Sequence, residues 1–371
     1  MLVAERISLW AKEEFVTDSG YAAIVLAAGK GTRIKAQTPK VLLEMCGRSL
    51  VGHVHDALTG AGCDTIVYVV RHERERVVAH LNDIAPNALI ADQDDVKGTG
   101  RAAWCGLQVL PADLTGPILV VAGDVPMFEA ESLAELFDIH VRENNTITVL
   151  STVLEDSYGY GRIIRAAAPG TDEVAGTPEA TGAITGITEE KDATDIERQI
   201  KEIGTSTYVF DAAFLREILD TLGTDNAQGE VYLTDAIAKA SEQGLRVGSF
   251  ILGDSMQAEG VNDLVQLATL RAEKNRRIQE KWMRSGVSII DPVTTHIDVD
   301  VTLAPDSIIQ PGTILRGNTD IGPFAVVGPH SELTNVKVGQ QASVPYTVAC
   351  NTGIGDGEKI SPFSVLGDSA S

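Results

Sequence analysis

The sequence contains few cysteines, and their arrangement suggests neither a cross-link nor a metal site. The four are Cys46, Cys63, Cys105 and Cys350, and no two of them form a CxxC pair. Such wide spacing gives neither a disulfide framework nor a zinc site. We therefore expect four buried side chains that act as small hydrophobic residues.

Long apolar runs and an excess of positive charge are also missing. No stretch approaches the roughly 20 apolar residues that span a membrane, and residues 1–15 carry charges where a signal peptide needs an apolar core. The 52 acidic residues outnumber the 30 basic ones, for a formal net charge of -22. This charge opposes attraction to nucleic acids or anionic membranes. We expect a cytoplasmic protein that binds neither, and any anionic ligand must be held by a local group of cations.

Strand-like and helix-like patterns alternate through the first two thirds of the chain. Apolar, β-branched runs at residues 21–26, 65–70 and 117–122 are separated by helical patterns. This alternation is typical of βαβ units, which form a mostly parallel sheet covered by helices. The other expected elements are helices near 49–60, 72–82, 99–110, 129–143, 211–222, 230–243 and 261–284, strands near 146–153, 183–190 and 205–210, and an exposed loop at 166–183.

A different pattern begins after residue 286, where aliphatic residues recur at every sixth position from Ile297 to Leu333, and after a slip the spacing resumes from Val338 and again from Ile354. A six-residue period fits neither a helix nor an alternating strand, and it predicts a parallel β-helix in which each short strand contributes one inward residue. Three strands per turn give about four coils. The alternative is a β-rich domain with coincidental spacing. The expected inward residues are Ile297, Leu303, Ile309, Leu315, Ile321, Val327, Leu333, Val338, Val344, Cys350, Ile354, Ile360 and Leu366.

The segment LAAGKGTRIKAQTPK, residues 26–40, places four cations around a glycine-containing turn. It follows the first apolar run, and open α/β sheets bind ligands at the carboxyl ends of their strands. We expect Gly29 and Gly31 to let the backbone turn tightly against an anion, with Lys30, Arg33 and Lys40 around it. The pattern is neither a Walker loop nor a dinucleotide-binding GxGxxG. The alternative is an ordinary surface turn.

Further short motifs follow in order along the chain. They are Gln93, Gly98-Thr99-Gly100, Gly123-Asp124-Val125-Pro126, Gly159-Tyr160-Gly161-Arg162, Glu189-Glu190-Lys191, Asn226-Ala227-Gln228-Gly229-Glu230 and Gly260-Val261-Asn262. With LAAGxGTR and Pro39-Lys40, these motifs resemble the signature of the sugar-nucleotide pyrophosphorylases. Together with the six-residue repeat, the chain is similar over about residues 22–366 to the bacterial bifunctional N-acetylglucosamine-1-phosphate uridyltransferase/glucosamine-1-phosphate acetyltransferase family.

The resemblance implies an α/β fold, with a Rossmann-like nucleotidyltransferase domain built on a mixed sheet and then a short left-handed parallel β-helix of hexapeptide repeats. We expect an N-terminal extension at 1–20, the transferase domain at 21–260, a connector helix at 261–286 and a β-helix at 287–371 that is truncated relative to the family. The family's acetyl-transfer residues lie on later coils, so we expect no acetyl transfer by this chain. Family solenoids imply a homotrimer through the β-helix.

The resemblance also assigns roles to charged residues. It gives Arg33 and Lys40 to the triphosphate and the transition state as catalytic groups, and Asp124 and Asn262 to a Mg²⁺ ion. Convergent cations suit this chemistry, because both reacting phosphates are anions. A carboxylate with few other protein oxygens suits magnesium, which keeps ligand phosphates and water. The alternatives are solvated surface cations, and helix caps for Asp124 and Asn262.

Binding positions come from the same resemblance. Gly161 and Glu189 match positions that hold the N-acetyl group and hydroxyls of the sugar, and Gly204 takes the place of an asparagine sugar ligand of the family. Glu189 could instead belong to a solvated charge cluster. The nucleotide-binding positions are Leu26, Ala27, Ala28, Gly29, Gln93, Gly98 and Thr99.

The function expected from these residues is magnesium-dependent transfer of a uridylyl group. UTP and N-acetylglucosamine 1-phosphate would give UDP-N-acetylglucosamine and pyrophosphate. Two alternatives stay open at this point. Gly204 leaves room for another sugar 1-phosphate, such as glucose 1-phosphate, and a non-catalytic sugar-nucleotide-binding regulator could carry the same fold.

Overall fold

The computed structural model describes residues 20–31 and 33–368, and these divide into two compact units. The sheet unit contains the described residues up to Lys30, together with Val54–Gly123 and Phe128–Glu259. The β-helix unit contains Gly31–His53, Asp124–Met127 and the described residues from Gly260 onward. The domain boundaries expected at residues 20, 260 and 286 stay predictions.

The elements before residue 260 follow the alternation expected from the sequence. Each expected strand and helix of this region is present, with ends that differ by a few residues. In chain order they are β1 (Tyr21–Leu26), a 3-10 helix (Lys40–Leu42), β2 (Glu44–Met45), β3 (Arg48–Ser49), α1 (Leu50–Gly60), β4 (Cys63–Val70), α2 (Arg74–Ile84), β5 (Leu89–Asp92), α3 (Thr99–Leu107), β6 (Ile118–Ala122), α4 (Ala130–Arg142), β7 (Ile147–Val153), β8 (Gly161–Arg165), β9 (Ile184–Thr188), a 3-10 helix (Glu197–Gln199), β10 (Glu202–Phe210), α5 (Ala212–Ile218), a 3-10 helix (Leu219–Thr221), α6 (Asp235–Glu242), β11 (Val247–Leu252) and a 3-10 helix (Ser255–Ala258).

The sheet unit is built on one mixed sheet. In the described part of the chain it has nine strands, with β11-β7-β10-β6-β1-β4-β5 in order, β8 paired with β10, and β9 paired with β8. β1 is parallel to both of its neighbours, β4 and β6, whereas β10 is antiparallel to β6 and β7. The mixed sheet of the expected fold class is therefore confirmed.

The centre of this sheet is buried on both faces. Residues 22–25 of β1 are completely buried, and successive side chains of a strand point to opposite faces. Ala22 and Ile24 belong to a core that includes side chains of α3, α5 and α6. A strand covered on both sides reads as a continuous apolar run, and this explains the sequence of β1.

The β-helix unit ends in three parallel sheets that the chain visits in turn. The sheets are ordered β12-β15-β18-β21, β13-β16-β19-β22-β24 and β14-β17-β20-β23, which gives four coils and one further strand. This is the arrangement of the expected left-handed β-helix. It is preceded by α7 (Leu264–Arg284), and its strands are β12 (Ser288–Ile289), β13 (His296–Ile297), β14 (Thr302–Leu303), β15 (Ile308–Ile309), β16 (Ile314–Arg316), β17 (Asp320–Ile321), β18 (Val326–Val327), β19 (Glu332–Thr334), β20 (Lys337–Val338), β21 (Ser343–Val344), β22 (Val348–Cys350), β23 (Gly353–Ile354) and β24 (Val365–Gly367).

The six-residue repeat predicts the solenoid core with one correction. Leu315 and Leu333, two of the expected inward residues, pair in register and are completely buried. In the next coil Ala349, rather than Cys350, pairs with Leu333. The slip in spacing before β22 hid this register, although Cys350 is also buried. Of the other cysteines, Cys63 and Cys105 are buried as expected, whereas Cys46 is only partly buried.

Buried hydroxyl groups also lie inside the solenoid, next to the start of its strands. Thr313 and Thr319 are completely buried, and their hydroxyls donate to the carbonyl oxygens of Gln310 and Arg316 at 2.7 Å. A hydroxyl can occupy the interior here because a corner carbonyl accepts its hydrogen bond.

Among the described residues, no helix is long and apolar enough to cross a membrane.

Candidate active site

Leu26 ends the central strand of the sheet unit, and Ala27, Ala28 and Gly29 follow it. The chain passes from β1 to β4 on one side and returns to β6 on the other, and open α/β sheets bind ligands at such a switch point. Ala27 N–H donates to the Val69 carbonyl at 2.9 Å, so the start of the loop is fixed to the sheet. A Cβ on Gly29 would meet no atom within 4 Å, which leaves open space beside the backbone.

The two glycines of this turn differ from what the sequence predicts. Only Gly31 has a left-handed backbone, with φ of 59°, and a Cβ there would lie 3.1 Å from Lys40 Cβ. Gly29 is not among the positive-φ residues described. The conformational need for glycine is therefore at Gly31, whereas Gly29 keeps the adjacent space clear.

Gln93 and Gly98 lie in the short loop between β5 and α3, and Thr99 is the first residue of α3. Gln93 Nε2 donates to the carbonyl oxygens of Val96 at 3.1 Å and Gly98 at 3.4 Å. Gly98 has a φ of 118°, and a Cβ on it would lie 2.1 Å from the Val231 carbonyl oxygen. The Thr99 hydroxyl accepts from Leu233 N–H at 3.1 Å. The loop therefore forms a fixed rim attached to residues 231–233.

Arg101, which follows Gly98-Thr99-Gly100, stabilises this rim. Arg101 Nε donates to Asp94 Oδ2 at 2.9 Å, and its guanidinium lies 3.9 Å from the centroid of the Trp104 ring. The ion pair holds the pKa of the Asp94 carboxyl below its usual range. Arg101 thus has a structural role in holding residues 93–98.

The sugar positions Gly161, Glu189 and Gly204 come together around Ile187. A Cβ on Gly161 would lie 2.8 Å from Ile187 Cγ2 and 3.5 Å from Glu189 Oε2, and one on Gly204 would lie 3.0 Å from Ile187 Cδ1. Burial raises the pKa of the Glu189 carboxyl, against a hydrogen bond from Thr234 Oγ1 at 3.4 Å. The Glu189 carboxyl is therefore partly buried rather than fully solvated.

Arg162 belongs to the Gly159–Arg162 motif, but the sequence does not predict a role for its side chain. It has only 2% of its surface exposed, and its Nη2 donates to Glu190 Oε2 at 2.7 Å. The same Glu190 oxygen accepts from Gly159 N–H at 3.1 Å. Arg162 therefore connects the Gly159–Gly161 turn to the chain beside Glu189. The signal was present in the Gly-Tyr-Gly-Arg motif, but an arginine alone does not reveal that it is buried.

The four residues assigned to catalysis and metal binding form two pairs inside the β-helix unit. The Lys40 ammonium forms an ion pair with Asp124 Oδ2, and these side chains are 16% and 17% exposed. Arg33 Nη2 donates to Asn262 Oδ1 at 2.9 Å. A hydrogen bond from Val261 N–H to the Asp124 carbonyl, 3.0 Å long, joins the two oxygen-bearing segments. Two cations and two side-chain oxygen ligands therefore belong to one connected cluster.

The helix-cap alternatives fail for both oxygen-bearing residues. The residue that caps α7 is Asp263, whose Oδ1 accepts from Val265 N–H at 2.9 Å and Gln266 N–H at 2.8 Å. The residue at the cap position of α4 is Glu129, and its side chain makes no capping hydrogen bond. Asn262 and Asp124 are thus left for another role.

The donor types at this cluster fit magnesium. Asp124 offers a carboxylate and Asn262 an amide oxygen, both of which are hard ligands suited to this ion. Within the part of the chain that the structure describes, no group of three or more His, Cys, Asp or Glu side chains could hold a metal. Further ligands would therefore have to come from phosphate oxygens and water, as is usual for magnesium at phosphate chemistry.

Comparison with known proteins gives consistent results. Residues 23–223 match the MobA-like NTP transferase domain. Proteins described as "Bifunctional protein GlmU" are 49% identical in Pseudarthrobacter chlorophenolicus, 48% in Paenarthrobacter aurescens and 44% in Thermobifida fusca. The matches cover 93%, 93% and 90% of this chain and 68%, 67% and 67% of those proteins. The crystal structure of a UDP-glucose pyrophosphorylase complexed with UDP-glucose matches with a TM-score of 0.52 and 16% identity, over 69% of this chain and 99% of that one. At this identity the structural match supports the fold.

Proposed function

The chain belongs to the bifunctional GlmU protein family, and we propose that it transfers a uridylyl group from UTP to N-acetylglucosamine 1-phosphate. The products are UDP-N-acetylglucosamine and pyrophosphate. The observation that carries this proposal is the cluster of Arg33 and Lys40 with Asn262 and Asp124. A protein that only binds a sugar nucleotide does not need two cations and two metal-type ligands joined in this way.

The proposed reaction is a direct displacement at the α-phosphorus of UTP. A phosphate oxygen of the sugar phosphate forms the new bond to this phosphorus, and the bond from it to the oxygen shared with the β-phosphate breaks. Pyrophosphate leaves with that bridging oxygen. The nucleophile is already ionised, so no general base is needed. The protein must supply positive charge and positioning.

Arg33 and Lys40 supply the positive charge in this proposal. In the structure their charged groups contact Asn262 and Asp124. When the substrates bind, we propose that both side chains turn to phosphate oxygens, with Arg33 as a planar donor of several hydrogen bonds and Lys40 as a compact point charge. The partners that they leave, Asp124 and Asn262, would then hold a magnesium ion. Such an ion, when bound, neutralises charge on the phosphate oxygens.

Binding roles follow for the sheet unit. We propose that Leu26, Ala27, Ala28 and Gly29 contact the nucleotide and that the rim of Gln93, Gly98 and Thr99 reads its base. Gly161 and Glu189 would hold the N-acetyl group and hydroxyls of the sugar, with Gly204 beside them. These roles are supported by the fixed backbone at Gly98 and the buried carboxyl of Glu189.

The test is pyrophosphate release with UTP, Mg²⁺ and a panel of sugar 1-phosphates. We expect release with N-acetylglucosamine 1-phosphate and much slower release with glucose 1-phosphate, together with loss of activity in EDTA that Mg²⁺ restores. Faster release with glucose 1-phosphate would contradict the proposed sugar. Absence of release with every sugar would indicate a regulator.

We also propose that the β-helix mediates a homotrimer and that the protein is cytoplasmic. Several large apolar side chains on the later coils are exposed, including Val348 at 51%, Phe363 at 81% and Val365 at 74%. Side chains of this kind are suited to burial against other subunits. Size-exclusion chromatography with light scattering should give three times the 39.4 kDa chain mass, and a monomer would contradict the proposal.

A further inference from the structure

The β2–β3 hairpin connects Lys40 to the β-helix. Lys40 begins the 3-10 helix Lys40–Leu42, and β2 starts two residues after it ends. The hairpin turn consists of Cys46 and Gly47, with φ of 49° and 80°. Positive φ at both central residues is typical of the tight turns that join two antiparallel strands. The hairpin is therefore a short, rigid extension of the segment that carries Lys40.

This hairpin is bound along α7. Arg271 donates from Nε and Nη2 to the Glu44 carbonyl oxygen, at 2.8 and 2.5 Å. Glu44 is close in sequence to Lys40, and Asn262 lies just before the start of α7. A chain of contacts thus runs from Lys40 through Glu44 and Arg271 to Asn262, and the Arg33–Asn262 hydrogen bond closes it on the other side.

The first coil of the β-helix holds the tip of the same hairpin. Val299 N–H donates to the Cys46 carbonyl at 3.0 Å, and Arg48 forms an ion pair with Asp300 at 2.6 Å. A Cβ on Gly47 would lie 2.5 Å from the Asp298 carboxyl group. The turn therefore packs directly on this coil, and a larger residue at Gly47 requires either the turn or Asp298 to shift.

Two buried amides fix the first coil to α7. Asn275 Nδ2 donates to the Thr295 carbonyl at 2.8 Å, and Asn275 Oδ1 accepts from Ile297 N–H at 3.0 Å. Gln279 Nε2 donates to the same Thr295 carbonyl at 2.6 Å, and this side chain is 1% exposed. Buried amides with satisfied hydrogen bonds specify one arrangement of the groups they join. The helix, the coil and the hairpin thus form one frame.

We propose that this frame, made of α7, the first coil (residues 287–303) and the β2–β3 hairpin, positions Lys40 and Asn262 for the transfer reaction, with Arg271 and Gly47 as positioning residues. The inference rests on the proposed function and adds a role for the β-helix in nucleotidyl transfer. Neither residue touches a reacting atom in this proposal. Displacement of the hairpin moves Lys40 relative to Asn262, and a misplacement of about 1 Å can cost roughly 100-fold in rate.

The test uses two variants of the full chain, each with a matched control. Arg271→Met removes the donors to Glu44, and Arg276→Met removes an arginine of the same helix that pairs only with Glu273 and Glu280 in the described contacts. Gly47→Ala adds a methyl group against Asp298, whereas Gly357→Ala has a similar left-handed backbone, φ of 66°, with no atom within 4 Å. The controls reproduce the loss of an arginine and the backbone strain without moving the hairpin.

We expect Arg271→Met and Gly47→Ala to lower kcat by roughly tenfold or more, with KM for UTP and for the sugar phosphate changed by less than about threefold. Hydrogen exchange of the amides at residues 33–45 should become roughly tenfold faster in both variants, without substrate or metal. The controls should keep the wild-type kcat and exchange rates.

The hydrogen-exchange measurement tests the frame independently of the proposed reaction. If the wild-type chain forms no nucleotide sugar, the reaction assignment fails, and the exchange data still decide whether α7 and the first coil hold the Lys40 segment. Unchanged exchange at residues 33–45 in Arg271→Met overturns the frame. An equal loss of kcat in Arg276→Met overturns the specific role of Arg271.

Discussion

Lys40 and Asp124 form an ion pair in which both side chains are more than four fifths buried, at 16% and 17% exposure. A partly buried pair is screened less by salt than a surface pair, so each charge holds its partner strongly. The pair therefore keeps a cation and a metal-type carboxylate together. Exchange of these partners for phosphate and metal is the event on which the proposed reaction depends.

Removal of either cation should affect the chemical step. We expect Arg33→Met and Lys40→Met to lower kcat/KM for pyrophosphate release by about 100-fold or more, because each removes charge stabilisation that matters in the transition state. Lys35→Met is the matched control, since Lys35 is an exposed lysine of the same segment with no assigned role. Wild-type rates in Arg33→Met and Lys40→Met would refute the assignment.

Gly98→Ala should disrupt the rim of the nucleotide site. The new Cβ would lie 2.1 Å from the Val231 carbonyl oxygen, and this backbone atom cannot shift without a large cost in free energy. We expect a loss of about 2 kcal/mol or more in the free energy of unfolding and a raised KM for UTP. Gly223→Ala, where a Cβ meets no atom within 4 Å, should leave both close to wild type. Denaturant titration and initial-rate kinetics measure the two effects.

We expect Glu189→Gln to increase the stability of the protein at pH 7 and to weaken its use of the sugar phosphate. Burial raises the pKa of this carboxyl above its ordinary value of 4.5, so in the pH range between the two values the folded state binds more protons than the unfolded state. The Glu189 contribution to stability is therefore lost as pH rises through this range. The glutamine variant lacks this loss, so it should be more stable than wild type at pH 7 and have a raised KM for the sugar phosphate. A variant less stable than wild type at pH 7 would contradict this.

Gly204→Asn tests whether the missing sugar contact can be restored. A Cβ at this position lies 3.0 Å from Ile187 Cδ1, the end of a flexible side chain that can shift slightly. We expect KM for N-acetylglucosamine 1-phosphate to fall several-fold, which corresponds to about 1 kcal/mol for one added hydrogen bond. Gly204→Ala, which adds the Cβ without the amide, should not lower it. KM for UTP should stay the same in both variants.

His140 should make the protein acid-sensitive. Burial lowers the pKa of this imidazole from 6.5 to about 4. Between these values the unfolded chain gains a proton that the folded chain does not, so stability falls as pH falls, by up to about 1.4 kcal/mol per pH unit for this group. In His140→Gln the fall in unfolding free energy from pH 6.5 to pH 4 should be smaller than in wild type. Equal slopes would show that His140 does not titrate in this way.

Features with a strong local pattern could be predicted from the sequence. The central strand Tyr21–Leu26 is a continuous apolar run, and Leu315 and Leu333 lie on a six-residue period, so their burial follows from the spacing alone. The sequence does not predict strands that lack such a pattern. β8 carries a glycine and a buried arginine, and β2 and β3 have only two residues each, so packing by distant parts of the chain decides them.

The site could be predicted in its residue types but not in its contacts. The turn predicts a cluster of cations, yet the pairing of Arg33 with Asn262 depends on residues far apart in the chain. For Arg271 the sequence predicts only a place in the connector helix, because a helical pattern shows nothing about which carbonyl oxygen a long side chain reaches. Such contacts are set by tertiary packing, and no spacing in the sequence encodes them.

Each coil of the β-helix pairs its strands only with those of the coils above and below it. Warming should therefore melt the later coils stepwise, while the coil bound to α7 persists to higher temperature. The loss of stability caused by a substitution would then be smaller the farther the residue lies from α7 along the solenoid axis. The outer coils can therefore tolerate more sequence variation than the coil that is bound to α7.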